Sequence, residues 1–181
     1  GYEQARVLSA MRDAIERAGG IEFPPGSAVL IKPNLLSNAP PERGINTHPE
    51  VIRAAIRLTK ELGGKPVVAE LPGIGPDSFV RQAAQWTKAV CDEEAVEFRL
   101  FKQNGFKKVE VDGTTLKELH LPIDVLEADY IINLPKLKTH MLTILTGAVK
   151  NLFGCLPFFE QKQIHGLGAK DEFAHALLDI L

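Results

Sequence analysis

The chain has 181 residues, 45% of them hydrophobic and 24% charged, the length and composition of one soluble domain with a proper core. A formal net charge of −2, with no long basic stretch interleaved with aromatics, argues against nucleic acid as a partner. Two cysteines, Cys91 and Cys155, far apart and without a CxxC, argue against a disulfide framework and against an iron–sulfur cluster bound by this chain alone. A cytoplasmic location is expected.

The elements follow in chain order. Val7, Leu8, Met11, Ile15 and Ala18 recur at helical spacing and stop at Gly19-Gly20. "AVLIK" (Ala28–Lys32) is a short apolar run that predicts a buried strand. "THPE" predicts a capping box, with Thr47 accepting from a first-turn amide and Glu50 reaching back, and a helix to about Leu62. "PVVAE" (Pro66–Glu70) predicts the second strand, and the loop "LPGIGPDS" follows it. Asp77 or Ser78 then caps a helix carrying Val80, Ala84 and Ala89. "AVEFRLF" (Ala95–Phe101) predicts a third strand. "KKVEV" and "LKELHL", around Asp112-Gly113, predict a β-hairpin arm outside the main sheet. "DYIINL" (Asp129–Leu134) predicts a fourth strand.

The stretch "LPKLKTHMLTILTGAVKNLFG" (Leu134–Gly154) comes next and reads as an amphipathic helix. His140, Thr143, Gly147 and Lys150, with Asn151 beside it, fall on one stripe, and Leu142, Leu145, Val149, Leu152 and Phe153 on another. Met141 to Phe159 is the most apolar part of the chain, but Gly147, Lys150, Asn151, Gly154 and Pro157 interrupt it, so no membrane span is expected. A loop to His165 and a last helix from about Asp171 complete the pass. That helix is still amphipathic at Leu181, so further sequence or a partner is expected to complete the domain.

Alternating strands and helices predict a single α/β domain over residues 1–181, with a mostly parallel sheet, helices on both faces and a small hairpin arm. Ligands of such sheets bind beyond the carboxyl ends of the strands. The residues there are Lys32 and Asn34 after the first strand, Glu70 after the second, and Lys136, Lys138 and His140 after the fourth. They predict a site for a small anionic ligand. Lys32, Asn34, Lys136, Lys138 and Asn151 would bind it, and His140 and Lys150 would carry acid/base or nucleophilic chemistry. His140 and His165 are candidate ligands for a metal or metal-containing cofactor. Of the remaining histidines, His48 sits at a helix start, His120 in the arm with exposure expected, and His175 on the last helix. A rival reading from the same residues is a non-catalytic docking or electron-transfer domain.

"VLIKPNLL", "THPEVIRAAIRLTKELGG", "DYIINLPKLKTH" and "LTGAVKNLFG", with the later "IHG", resemble the family called Domain of Unknown Function 362 over nearly the whole chain. Members are often joined to ferredoxin-type iron–sulfur modules. The resemblance therefore implies redox or anaerobic metabolism and an iron–sulfur module or protein as partner. A remoter likeness is to the nickel-dependent lactate racemase family, in which a catalytic His, a Lys anchoring a nickel cofactor and a later His ligand come in the order of His140, Lys150 and His165. The chain differs from that family in having "TGAVK" where paired glycines precede the Lys, and Glu70-Leu71 where a His-Arg pair stands.

Overall fold

The computed structural model describes residues 1–71, 77–167 and 170–181. The stretch "LPGIG" after the second strand falls mostly outside these residues, and the side chains of Asp77 and Ser78, expected as caps, are likewise outside what is described.

Four strands form one parallel sheet: β1 (Ala28–Pro33), β2 (Lys65–Glu70), β3 (Phe98–Leu100) and, later in the chain, Tyr130–Leu134. The order is β3, β2, β1 and then Tyr130–Leu134, so the first strand lies in the middle. Ile31 sits opposite Val68 on one side and Ile132 on the other. The expected topology holds, and it follows from apolar runs that can be buried on both faces. The third strand is shorter than expected. Ala95 takes a left-handed φ of 51° and the Val96 amide bonds back to the Cys91 carbonyl, so residues 95 and 96 close the preceding helix instead. At the far end Phe101 already begins a helical turn.

Three helices cover one face: α1 (Gln4–Arg17), α2 (Pro49–Glu61) and α3 (Asp77–Glu93). Ile52, Ala55 and Ile56 of α2, with Val90 and Cys91 of α3, pack on Ile31, Val68 and Leu134. The turn from α2 into β2 needs Gly64, because a Cβ there would lie 2.9 Å from the side chains of both Thr59 and Val29. The expected capping box is not formed. His48 is the N-cap, and its Nδ1 accepts from the Glu50 amide, while Glu50 pairs with Arg53. Thr47 acts at longer range. Its hydroxyl accepts from the Asn34 amide and donates to the Leu134 carbonyl, tying the ends of two strands together.

On the opposite face Leu30 and Ala69 meet Phe101 and Cys155. The short helices α4 (Phe101–Asn104) and α5 (Ile123–Leu126) flank the arm, whose strands β4 (Phe106–Glu110) and β5 (Glu118–Pro122) pair antiparallel. The arm lies outside the main sheet, as expected, but it is not a free excursion. With the later helices α7 (Phe158–His165) and α8 (Lys170–Leu178) it builds another core around Leu119, Phe153, Leu156, Ile164, Phe173 and Leu177. His120 is half-buried rather than exposed, its Nδ1 2.5 Å from Glu160.

The largest correction concerns residues 134–154. After the fourth sheet strand, here β6, the chain forms a small antiparallel hairpin, β7 (Lys138–His140) and β8 (Ile144–Thr146). Only then comes a helix of five residues, α6 (Ala148–Leu152). Thr139, Thr143, Ile144 and Thr146 are β-branched and suit paired strands better than helix. A three-residue connection reverses the chain, with Ile144 at φ 66°. Helix-like spacing of His140, Thr143 and Gly147 therefore did not reflect a helix. Among the described residues, no helix is long and apolar enough to cross a membrane.

Candidate functional site

The carboxyl edge of the sheet holds an ion pair sealed from solvent. Lys32, on the central strand, has 0% of its surface exposed, and its Nζ lies 2.7 Å from Glu70 Oε1 and 3.2 Å from the Pro33 carbonyl. Glu70 Oε2 is buried and accepts no hydrogen bond among the described residues. Burial pushes the Glu70 carboxyl above its ordinary range, and Lys32 only partly pulls it back. Gly154 closes over this pair; a Cβ there would stand 3.2 Å from both Lys32 Nζ and Glu70 Oε1.

Buried Asn151 fixes α6 to the strand ends. Its Nδ2 donates to Asn133 Oδ1 at 2.7 Å and lies 3.4 Å from the carbonyls of Lys32 and Pro33. Asn133 Nδ2 in turn donates to the Ala148 carbonyl. Lys138, at the start of the hairpin, donates to Asn34 Oδ1 at 2.8 Å and to the Ile45 carbonyl at 2.9 Å. Burial lowers the Lys138 pKa, and Lys136 lowers it further, against a weaker pull from Glu70.

Lys150 extends from α6 toward the second core. Its Nζ lies 4.0 Å from the centre of the Phe153 ring and 5.9 Å from that of Phe173. Burial, then the charges of Lys138 and Lys32, lower its pKa to about 8. His165 sits on the same two rings, with centroids 4.8 Å from Phe153 and 5.2 Å from Phe173. His140 is lowered first by burial, then by Lys150, His165 and Lys138. Among the described residues, Glu70 is the carboxylate that acts on Lys138 and on Cys155, and it pairs with Lys32.

The two histidines carry opposite offers. His140 Nδ1 accepts from the Leu142 and Thr143 amides, which leaves the proton of the neutral ring on Nε2. His165 Nδ1 lies 2.7 Å from the Gln161 carbonyl, so it holds the proton and leaves a lone pair on Nε2. His165 ends α7 and does not ride on a loop, as its glycine-rich surroundings suggested.

The fold thus gathers Lys32, Lys138, His140, Lys150 and His165, with Asn34 and Asn151 holding the frame. Lys136 turns the other way. Its Nζ is 3.4 Å from Tyr2 Oη, and Tyr2 stacks on His48 at 3.7 Å. Cys155 is buried beside Lys32 and Glu70, and burial pushes its thiol up to about 11, which keeps it a packed thiol. Among the described residues, no three His, Cys, Asp or Glu side chains converge as a metal-ligand set. Asn133, Gly154, Phe153 and Phe173 are members of the site that the sequence did not mark. Asn133 had a signal, a polar residue inside the apolar run "YIINL". The others had none without long-range contacts.

An open apolar surface adjoins the cluster. The hairpin exposes Met141 (97%), Ile144 (78%), Leu137 and Leu145.

Residues 29–181 match the family model described as Domain of unknown function (DUF362). A protein of Synechocystis sp. described as thylakoid-associated is 38% identical over 160 residues, which is 86% of this chain and 48% of that protein. The chain therefore spans about half the length of that relative. No solved structure matches.

Proposed function

The chain belongs to the Domain of unknown function (DUF362) family, and for this member we propose an enzyme domain that binds a small anionic molecule at the carboxyl edge of its parallel sheet. The carrying observation is the charge imbalance: Lys138, Lys150, His140 and His165 lie close enough to act on one another, and Lys32 beneath them is paired with Glu70. Cations held together at partial burial repel one another, and an anion relieves that repulsion. Lys138 and Lys150 hold the anion. Lys32 is locked to Glu70 and sets the local potential from beneath. Asn34 and Asn151 orient Lys138 and α6, and Lys136 extends the field at the rim. His140 offers an N–H and His165 a lone pair, the two halves of acid/base chemistry on a bound ligand. The reading assigns no role to nucleic acid, and it places the chain in the cytoplasm, where Cys91 and Cys155 stay reduced.

A second reading is favoured by the hairpin. Leu137, Met141, Ile144 and Leu145 are exposed apolar side chains of the kind a partner protein covers, such as the iron–sulfur module the family resemblance implies. Calorimetric titration of the whole chain with oxalate at low salt separates the two. The first reading predicts saturable heat that weakens at least roughly tenfold in Lys138→Gln, the loss of about 1.4 kcal/mol or more expected of a charge-assisted contact. No heat with the wild-type chain contradicts it and leaves the docking surface as the better account.

A further inference from the structure

We propose that Lys150 is an amine nucleophile that forms a protonated imine with the carbonyl carbon of a small 2-oxo carboxylate bound at this edge. The inference rests on the anion-binding reading above, which supplies the grip on the carboxylate.

Lys150 is unlike the other lysines around it. Lys32 is paired with Glu70, and Lys138 donates to Asn34 and the Ile45 carbonyl, with one N–H left for a ligand. Lys150 makes no hydrogen bond and no ion pair among the described residues; its Nζ faces the rings of Phe153 and Phe173. Burial and cationic neighbours, with no carboxylate paired to it among the described residues, favour the neutral amine against the pull of the two ring faces on an ammonium. Its lowered pKa agrees with that geometry. The carboxylate of a 2-oxo acid would lie on Lys138, which brings the adjacent carbonyl toward Lys150.

The neighbouring histidines match the proton inventory of the step. The Lys150 lone pair forms the C–N bond as the carbonyl π pair moves onto oxygen. His140 Nε2–H donates a hydrogen bond to that oxygen. One proton of the new ammonium passes to His165 Nε2 and from there to the oxygen. The nitrogen lone pair then expels the oxygen as water, which takes a second proton from His165 recharged by solvent. The balance is one amine, one carbonyl and one proton giving one iminium and one water. No oxidant or reductant takes part.

The test uses glyoxylate, the smallest 2-oxo carboxylate, with sodium cyanoborohydride to reduce any imine to a stable secondary amine. The full chain is labelled briefly at pH 8, and the modified lysines are mapped by peptide mass spectrometry. An amine titrating near 8 is about half neutral there, against roughly 0.4% for an ordinary lysine, a ~100-fold advantage in reactive form. The expected result is labelling of Lys150 at least ~10-fold faster than the other lysines, suppressed by oxalate, which carries no aldehyde or ketone carbonyl. Labelling of Lys150 no faster than the surface lysines overturns the proposal. If oxalate nevertheless binds, the imine falls and the anion site stands; if oxalate does not bind, both fall. A Lys150→Arg chain with an unchanged melting temperature should lose the fast label. A fast label that persists in it, on another lysine, also overturns the assignment.

Discussion

At the residue scale the decisive feature is a lysine kept in an unfavourable place. Lys150 has a folded pKa of about 8 against 10.5 for an ordinary lysine. Between those values the unfolded chain binds the extra proton, so stability rises with pH across that window; below about 8 the cost of burying the charged amine is fully present. Lys150→Met is therefore expected to stabilise the chain at pH 7 by on the order of 1–2 kcal/mol, allowing for the solvent that still screens a partly buried group. The gain should shrink as pH rises from 8 to 10.5. Urea unfolding of both chains across that range checks this, and a gain that is absent or independent of pH contradicts it. A group that lowers stability where it stands is what a functional site produces. Much of this site was legible in sequence: Lys32, Lys138, His140 and Glu70 follow strands whose carboxyl ends a parallel sheet brings to one edge. The Phe153 and Phe173 rings beside Lys150 were not, because their contact joins residues about twenty apart through a core that local pattern does not announce.

At the element scale, pattern succeeded where burial was two-sided and failed where it was not. The runs around Ile31, Val68 and Ile132 could only be interior strands. Residues 138–152 mixed two elements in one apolar stretch, and the three- and four-residue steps from His140 to Lys150 imitated a helix that Thr139, Ile144 and Thr146 oppose. The capping box failed for a related reason: Thr47 satisfies strand-end groups that only the folded sheet brings near. The arm depends on a similar long-range clasp. Asp179 accepts from the amides of Thr114, Thr115 and Leu116, each at 2.7 Å, and Gly113 leaves room for it, since a Cβ there would lie 2.5 Å from Asp179 Cγ. Burial raises the Asp179 pKa somewhat, but the three amides outweigh it and hold the carboxyl below 3.8. Its contribution is thus present above pH 3.8 and lost as pH falls through the folded value. Asp179→Ala should cost about 1–3 kcal/mol at pH 7, and the difference should close in strong acid. Equal stability of the two chains at pH 7 would show that the clasp holds nothing.

For the whole molecule, the sheet sets where chemistry can gather and the second core sets how it is exposed. Strands from residue 28 to residue 134 end at one edge, and α6 carries Lys150 from that edge to the Phe153 and Phe173 rings of the second core. The hairpin between them supplies Lys138 and His140 on one side and an apolar rim on the other. The central claim is that groups spread over more than a hundred residues form one cationic site that an anion completes. Lysine-selective NMR, following the Cε–Nζ signals of the whole chain against pH with and without oxalate, tests it most directly. The expected result is that Lys150 titrates near 8 in the free chain and that oxalate raises it. A Lys150 that titrates in the ordinary lysine range and ignores oxalate would contradict the shared site outright.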